Sequence, residues 1–294
     1  MTTAIKITVV VDDVPGRPGL HPEHGLSLWV ETPAGAFLFD TGQGAALREN
    51  ADALGIRLAD VDTVVLSHGH YDHSGGLVHL LGNKPPGRIY AHPAAFAPRY
   101  RKREEPPHKA IGMPEEIRRR LQEKPDIITY TLAPQQILEN VWITGPIPRN
   151  NEFEDTGGPF FTDPACSVPD PIEDDQAVYI QSSRGTIVLL GCAHAGVINT
   201  LDYIARLAEG APLYTVIGGM HLQNANGERL NKTLQGLKRH HIAVMAPCHC
   251  TGPDAISVLR GQLPDVMVPC TCGSTFHLSN SGTDYEIESI TPPI

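Results

Sequence analysis

The sequence predicts an α/β layered protein, and three observations predict it. In the second half of the chain, short β-branched runs alternate with longer amphipathic ones, the pattern of strands joined by crossover helices. Apolar strand-like runs end repeatedly in turns rich in glycine and histidine, as where Thr63-Val64-Val65-Leu66 leads into Ser67-His68-Gly69-His70-Tyr71-Asp72-His73-Ser74-Gly75-Gly76. The chain has 294 residues, 41% hydrophobic and 19% charged, which suits a packed core in one large domain or a domain with an insertion.

The elements follow in order. Ile5 to Val11 is apolar and β-branched and reads as a strand ended by Asp12-Asp13. Three prolines and two glycines between Val14 and His24 mark a loop. Leu26 to Glu31 and Ala36 to Phe39 read as a hairpin around Pro33-Ala34-Gly35, ending at Asp40-Thr41-Gly42. Ala45 to Leu54 follows as a helix, with Leu47, Ala51 and Leu54 on one face and Gly55 as its C-cap. Thr63 to Leu66 is a buried strand, Leu77 to Leu81 begins a helix, and Arg88 to Ala91 is another strand. The pattern then breaks. Pro93 to about Asp170 is rich in proline and clustered charge, with a helix at Glu115 to Lys124 and strands at Ile127 to Leu132 and Val141 to Thr144. Residues 93–132 are expected to form an inserted lid or small subdomain within a single domain spanning 1–294, because such embellishments carry specificity. Regular alternation returns: strands Ala177 to Gln181, Thr186 to Gly191, Leu213 to Gly218 and Ile242 to Ala246, with helices Ile198 to Ala208, Leu230 to His240 and Asp254 to Gln262.

The stretch from Ser67 to Gly76 carries the chemistry. Three histidines and an aspartate within six residues place four ligand-type side chains on a strand-to-helix turn. Imidazole and carboxylate are ligands for zinc, manganese or iron. Alternate residues of an extended turn point the same way, so His68 and His70 are set to face one ion while Asp72 and His73 face another. The bland reading is a polar loop that happens to be rich in histidine, and the flanking glycines argue against it.

This stretch resembles the His-x-His-x-Asp-His signature of the metallo-β-lactamase superfamily. The resemblance extends over nearly the whole chain and is closest to small metal-dependent hydrolases labelled dihydropterin- or dihydropteroate-synthase-like. It is carried also by Glu23-His24-Gly25-Leu26-Ser27, Phe39-Asp40-Thr41-Gly42, Gly191-Cys192-Ala193-His194-Ala195-Gly196, Gly218-Gly219-Met220-His221-Leu222 and Cys248-His249-Cys250-Thr251-Gly252. The resemblance implies an αββα sandwich with its metals at one sheet edge. It also implies that Asp40 orients the metal turn through hydrogen bonds; a helix cap or turn aspartate is the plainer alternative. The superfamily's bridging aspartate is replaced here by Cys192, which is read either as a bridge between soft metals or as an inert buried thiol. No histidine stands in Thr144-Gly145-Pro146-Ile147-Pro148-Arg149, where the superfamily often has a third ligand, and His194 is expected to supply it. The expected metal ligands are therefore His68, His70, Asp72, His73, His194 and His249, holding two divalent ions, zinc first, with manganese and iron as alternatives. Asp72 and His221 are the expected catalytic groups. His221 is expected to contact substrate without binding metal, because Gly218-Gly219 before it let a ligand approach the backbone.

Bulk properties narrow the function. The net charge of −10 repels phosphate backbones and weighs against a nucleic-acid partner. No apolar run reaches the roughly 18–20 residues that span a bilayer, and Met1 to Val11 lacks the features of a signal peptide, so a cytoplasmic location is expected. The six cysteines include two Cys-x-Cys pairs, Cys248/Cys250 and Cys270/Cys272; buried free thiols are a plainer reading than a four-cysteine metal site. The expected activity is a metal-dependent hydrolase acting on a phosphoester or cyclic phosphate of a small, anionic, pterin-related metabolite. The alternatives are a lactone, thioester or carboxylic ester hydrolase, or a metal-containing ligand-binding or redox-sensing protein.

Overall fold

Strand Thr63–Val65 is the hinge of the first sheet. In the computed structural model, which describes residues 4–82, 84–279 and 285–288, this short strand pairs in parallel with Gly35–Phe39 on one side and Arg88–Ala91 on the other. The sheet has eight strands, in the order Tyr285–Glu288, Thr275–Ser279, Ala4–Val11, Ser27–Thr32, Gly35–Phe39, Thr63–Val65, Arg88–Ala91 and Ile128–Tyr130. The first five run antiparallel and the last four parallel, with Gly35–Phe39 belonging to both halves. Helices Leu47–Ala53, Leu77–Leu80 and Glu115–Gln122 supply Leu47, Ala51, Leu77, Leu80, Ile117 and Leu121 to a core that also holds Leu38, Val64 and Ile89 from the strands.

A second sheet has six strands, in the order Val244–Cys248, Leu213–Gly219, Gly185–Leu190, Val178–Ser182, Val141–Ile143 and Gln135–Leu138. The first three are parallel, as the alternation of strand and helix requires. Gly185–Leu190 is buried at every position, which explains its unbroken apolar run. Helices Val197–Leu207, Gly227–Arg239 and Pro253–Gln262 cover the parallel strands, packing Ile198, Leu201, Leu234, Leu237 and Leu259 on Val188, Leu190, Val216 and Met245. A small three-stranded sheet of Phe160–Phe161, Tyr100–Arg101 and Lys109–Ala110 is built from residues that carry no strand periodicity.

The chain falls into two compact units. One comprises Met1–Phe96, Met113–Tyr130 and Pro269–Ile294, the other Ala97–Gly112 and Thr131–Val268. The segment 93–132, expected as a lid, is shared between them. Ala97–Gly112 belongs to the second unit, whereas Met113–Tyr130 belongs to the first, where it contributes the core side chains Met113, Ile117 and Leu121 and an edge strand. All six cysteines are buried and none is in a disulfide. Among the described residues no helix is long and apolar enough to cross a membrane.

Candidate metal centre

In the first unit, strand Gly35–Phe39 delivers Asp40 in a left-handed conformation, φ 58°. That turn puts the Asp40 carboxylate at the foot of the neighbouring strand's own turn. Its Oδ1 accepts the Ser67 backbone N–H at 2.7 Å. Its Oδ2 accepts the Ser67 hydroxyl at 2.6 Å and the His73 Nδ1–H at 2.7 Å. The Ser67 oxygen in turn takes the His68 Nδ1–H at 2.9 Å, and His68 Nε2 lies 2.9 Å from His70 Nδ1. This network assigns the tautomers: with Nδ1 of His68 and His73 protonated, Nε2 of each carries the lone pair that a metal ligand needs. The rings of His68 and His73 are 4.2 Å apart. His70 is the N-cap residue of the one-turn helix Tyr71–Ser74, which presents Asp72 and His73.

Asp72 has a partner that the sequence reading did not single out. His24 sits between two carboxylates, with Nδ1 2.8 Å from Asp13 Oδ2 and Nε2 3.2 Å from Asp72 Oδ2. The hydrogen bonds to Asp13 and then to Asp72 push its pKa up to about 11, so the ring is an imidazolium with both nitrogens donating. The signal was present: His24 lies in one of the matched stretches, and Asp13 ends the first strand. Glu23 is equally structural in its use. Its carboxylate accepts the backbone N–H groups of Gln43, Gly44, Ala45 and Ala46 at 2.8–3.0 Å, fixing the turn that leads into helix Leu47–Ala53.

In the second unit the candidates come from three parallel strand ends. Strand Gly185–Leu190 leads to Cys192, then Ala193 at φ 54°, then His194. His194 donates from Nδ1 to the Thr156 carbonyl at 2.7 Å, and its ring lies 4.3 Å from that of His221. His221, at φ 47°, follows strand Leu213–Gly219, and His249, at φ 48°, follows strand Val244–Cys248. The ligand atoms of Cys192, His221 and Cys250 all lie within 4.8 Å of one another. Burial alone pushes the Cys250 thiol up. A hydrogen bond with Cys192 and the imidazoles of His221 and His249 outweigh it and hold the thiol well below its ordinary range. His221 thus stands among thiols, a grouping that strand-by-strand reading missed. The two glycines before it are accounted for by packing. A Cβ on Gly218 would meet the Leu190 carbonyl oxygen at 2.1 Å, and one on Gly219 the Cys250 sulfur at 2.6 Å. These glycines admit the neighbouring strand and a thiol, and no ligand is needed to account for them.

Glu154 anchors the helix behind Cys192 and His194. It accepts the backbone N–H groups of Ile198 and Asn199, both at 2.9 Å, at the start of Val197–Leu207. Asp175 is wholly buried and accepts backbone N–H groups of Ala195, at 2.7 Å, and His194. Burial pushes its pKa up to about 7.

The donor chemistry fits divalent ions. It consists of imidazoles whose far nitrogens are held in the ligating tautomer, a carboxylate, and a thiol–imidazole group with ligand atoms close together. Residues 21–200 match the model of the metallo-beta-lactamase superfamily.

The chain belongs to that superfamily. It is 32% identical over 255 residues to an uncharacterized protein of Methanocaldococcus jannaschii, covering 86% of this chain and 93% of that one. It is 28% identical over 261 residues, 84% of this chain and 88% of the other, to the same organism's 7,8-dihydropterin-6-methyl-4-(beta-D-ribofuranosyl)-aminobenzene-5'-phosphate synthase. Among solved structures it resembles Tm1679, a metal-dependent hydrolase of the beta-lactamase superfamily, with 27% identity, a TM-score of 0.78, and coverage of 94% of this chain and 99% of that one. The mixed α/β architecture of several sheets is the metallo-β-lactamase fold, and the chain is an enzyme of the superfamily's metal-dependent hydrolase type.

Proposed function

We propose that this enzyme hydrolyses a phosphoester or cyclic phosphate of a small metabolite at a centre of two divalent ions, zinc first. His68, His70 and His194 would hold one ion, and Asp72, His73 and His249 the other. The observation that carries the reading is the Asp40 network, which fixes His68 and His73 in the ligating tautomer within a dry interior. The ions would lower the pKa of water from about 15.7 toward 7 and so supply the nucleophile at neutral pH. The remaining roles fall to the chain's own side chains. His24 donates from Nε2 to Asp72, which orients that carboxylate. Asp40 and Ser67 prevent His73 and His68 from turning. His221 meets the substrate oxygen on which negative charge develops and stabilises it by hydrogen bonding. Support for a phosphorylated, pterin-related substrate comes from the relative whose name contains both.

The test is elemental analysis of purified protein together with turnover of phosphodiesters, cyclic phosphates, phosphomonoesters and lactones. Two metal equivalents and preferential cleavage of phosphoesters are expected, with both lost in His68→Ala. Preferential cleavage of lactones would replace the substrate class, and a metal-loaded protein that turns over none of the panel would favour a sensing role for the Cys192–Cys250 pair.

A further inference from the structure

The second unit contains a cavity of about 1100 Å³ lined by strand Tyr100–Arg101, the segment 150–159 and the first turns of helix Gly227–Arg239. One of its walls is the loop that backs two of the site histidines. The Thr156 carbonyl accepts the His194 Nδ1–H. Gly157, at φ +85°, lies so close to His221 that an added Cβ would sit 1.9 Å from the ring. A group resting in the cavity is therefore one loop thickness from those rings.

Arg229 lines this cavity and is 6% exposed. Its Nη1 is held by Asp155. Its Nε and Nη2, both shut from water, have no hydrogen-bond partner among the described residues. Those two nitrogens form one edge of the guanidinium, the fork that grips a phosphate or carboxylate with two parallel hydrogen bonds. Leaving such donors unmet in the interior is costly, and a native structure holds them so for a reason. Asp155 is 76% exposed, so its clasp on Arg229 can open outward. The lining also holds Glu152, Glu228 and Lys232. Glu228 is taken by Lys232 at 2.7 Å, whereas the exposed Arg101 has no ion pair among the described residues. The positive end of helix Gly227–Arg239 faces the same lining residues, Asn226 and Glu228. A purely structural role for Arg229 competes with this one, because its charge also offsets that of buried Glu154.

We propose that this cavity receives a phosphate monoester on the substrate, remote from the bond that is cleaved, which draws Arg229 off Asp155 so that its Nε–Nη2 edge turns from the interior onto the phosphate, with Arg101 as the second cation. The inference rests on the phosphoester hydrolase reading and specifies its substrate as doubly anionic.

The test uses a matched pair of esters, a nucleoside 2′,3′-cyclic phosphate with and without a 5′-phosphate, on metal-loaded protein. The wild type should prefer the 5′-phosphorylated ester by about 10- to 100-fold in kcat/KM, expressed in KM, the size of one or two charged hydrogen bonds. Arg229→Lys keeps the charge beside Glu154 but loses the fork, and should collapse that ratio toward one. Arg101→Ala, at an exposed position, should collapse it in part without touching the fold. Equal turnover of the two esters by the wild type overturns the proposal and leaves the hydrolase reading intact. An equal fall for both esters in Arg229→Lys makes the residue structural and also overturns it. If neither ester is cleaved, the hydrolase reading fails for cyclic phosphates, and calorimetric binding of pyrophosphate decides instead. Binding retained in His68→Ala, which lacks the metal route, but lost when Arg229→Lys is added supports the pocket, whereas no binding overturns it.

Discussion

The two units bring donor side chains together by opposite means. In the first, four donors lie within six residues, and one carboxylate, Asp40, fixes the turn that carries them. In the second, the donors are spread over almost 60 residues and meet because three parallel strands end level. Leu190 is in register with Gly218, and Gly218 with Pro247, so Cys192, His221 and His249 leave the sheet at one edge. A local cluster depends on a single hydrogen-bonded anchor, while a dispersed one depends on the register of the whole sheet. Damage to the first should therefore be concentrated at one residue, and damage to the second should be graded.

The sharpest way to break the comparison is Asp40→Ala. Asp40, Ser67 and His73 are wholly buried, so the change strands a backbone N–H, a hydroxyl and an imidazole N–H in a dry interior. The expected loss is about 3–5 kcal/mol in denaturant titration, with metal affinity lower by about 10- to 100-fold. A loss below 1 kcal/mol would show that the turn holds itself.

His221→Ala probes the second unit at one of its three strand ends. Metal content and fold should persist while kcat falls by about 10²–10³, the effect of removing one electrostatic donor. Loss of metal measured by elemental analysis would instead join His221 to Cys192 and Cys250 as a ligand.

Asp175 supplies a pH test beneath the same edge. Its folded pKa of about 7 lies above the usual carboxylate value, so the folded state binds the extra proton and stability falls as pH rises from about 4 to 7. Asp175→Asn retains an acceptor for the Ala195 N–H and should flatten that slope, raising stability at pH 8 by about 1–3 kcal/mol. Parallel melting curves of the two proteins across this range would refute it.

The smallest effect belongs to His24→Gln. The raised His24 pKa contributes stability that is complete below about 6.5 and is lost as pH climbs through about 11. With the side chain 48% exposed, the pair is worth under about 1 kcal/mol. The variant should melt within a few degrees of the wild type at pH 7, and a larger shift would mean that Asp72 relies on this imidazolium for its placement.

How much could be read from the residues alone follows the same division. The strand–helix alternation of the second half and the turn at His68 to His73 were legible because they are periodic or contiguous. Strand and helix limits shifted by one to three residues, as at Leu47–Ala53 and Gly227–Arg239, where caps rather than periodicity decide. The small sheet of Tyr100–Arg101, Lys109–Ala110 and Phe160–Phe161 was not legible, since two-residue strands leave no period. Nor was the grouping of Cys192 with His221 and Cys250, nor the service of Glu23, Glu154 and Thr156, all of which act through hydrogen bonds to distant backbone groups. The role of Gly218 and Gly219 was misread because a glycine's neighbour across a sheet cannot be seen along the chain.

Asp40, Ala193, His221 and His249 all occupy left-handed backbone conformations at the ends of buried strands. Such conformations in residues other than glycine cost about 1–3 kcal/mol each, a sum comparable with the 5–15 kcal/mol by which a domain of ordinary stability stays folded. A lineage carrying four of them has little reserve left for experiments in the strands below. Replacement should cost less around Arg101, Asp155 and Lys232, which are exposed and hold ordinary backbone conformations. Divergence among relatives of this chain should accordingly be recorded there first, while the strand ends stay put.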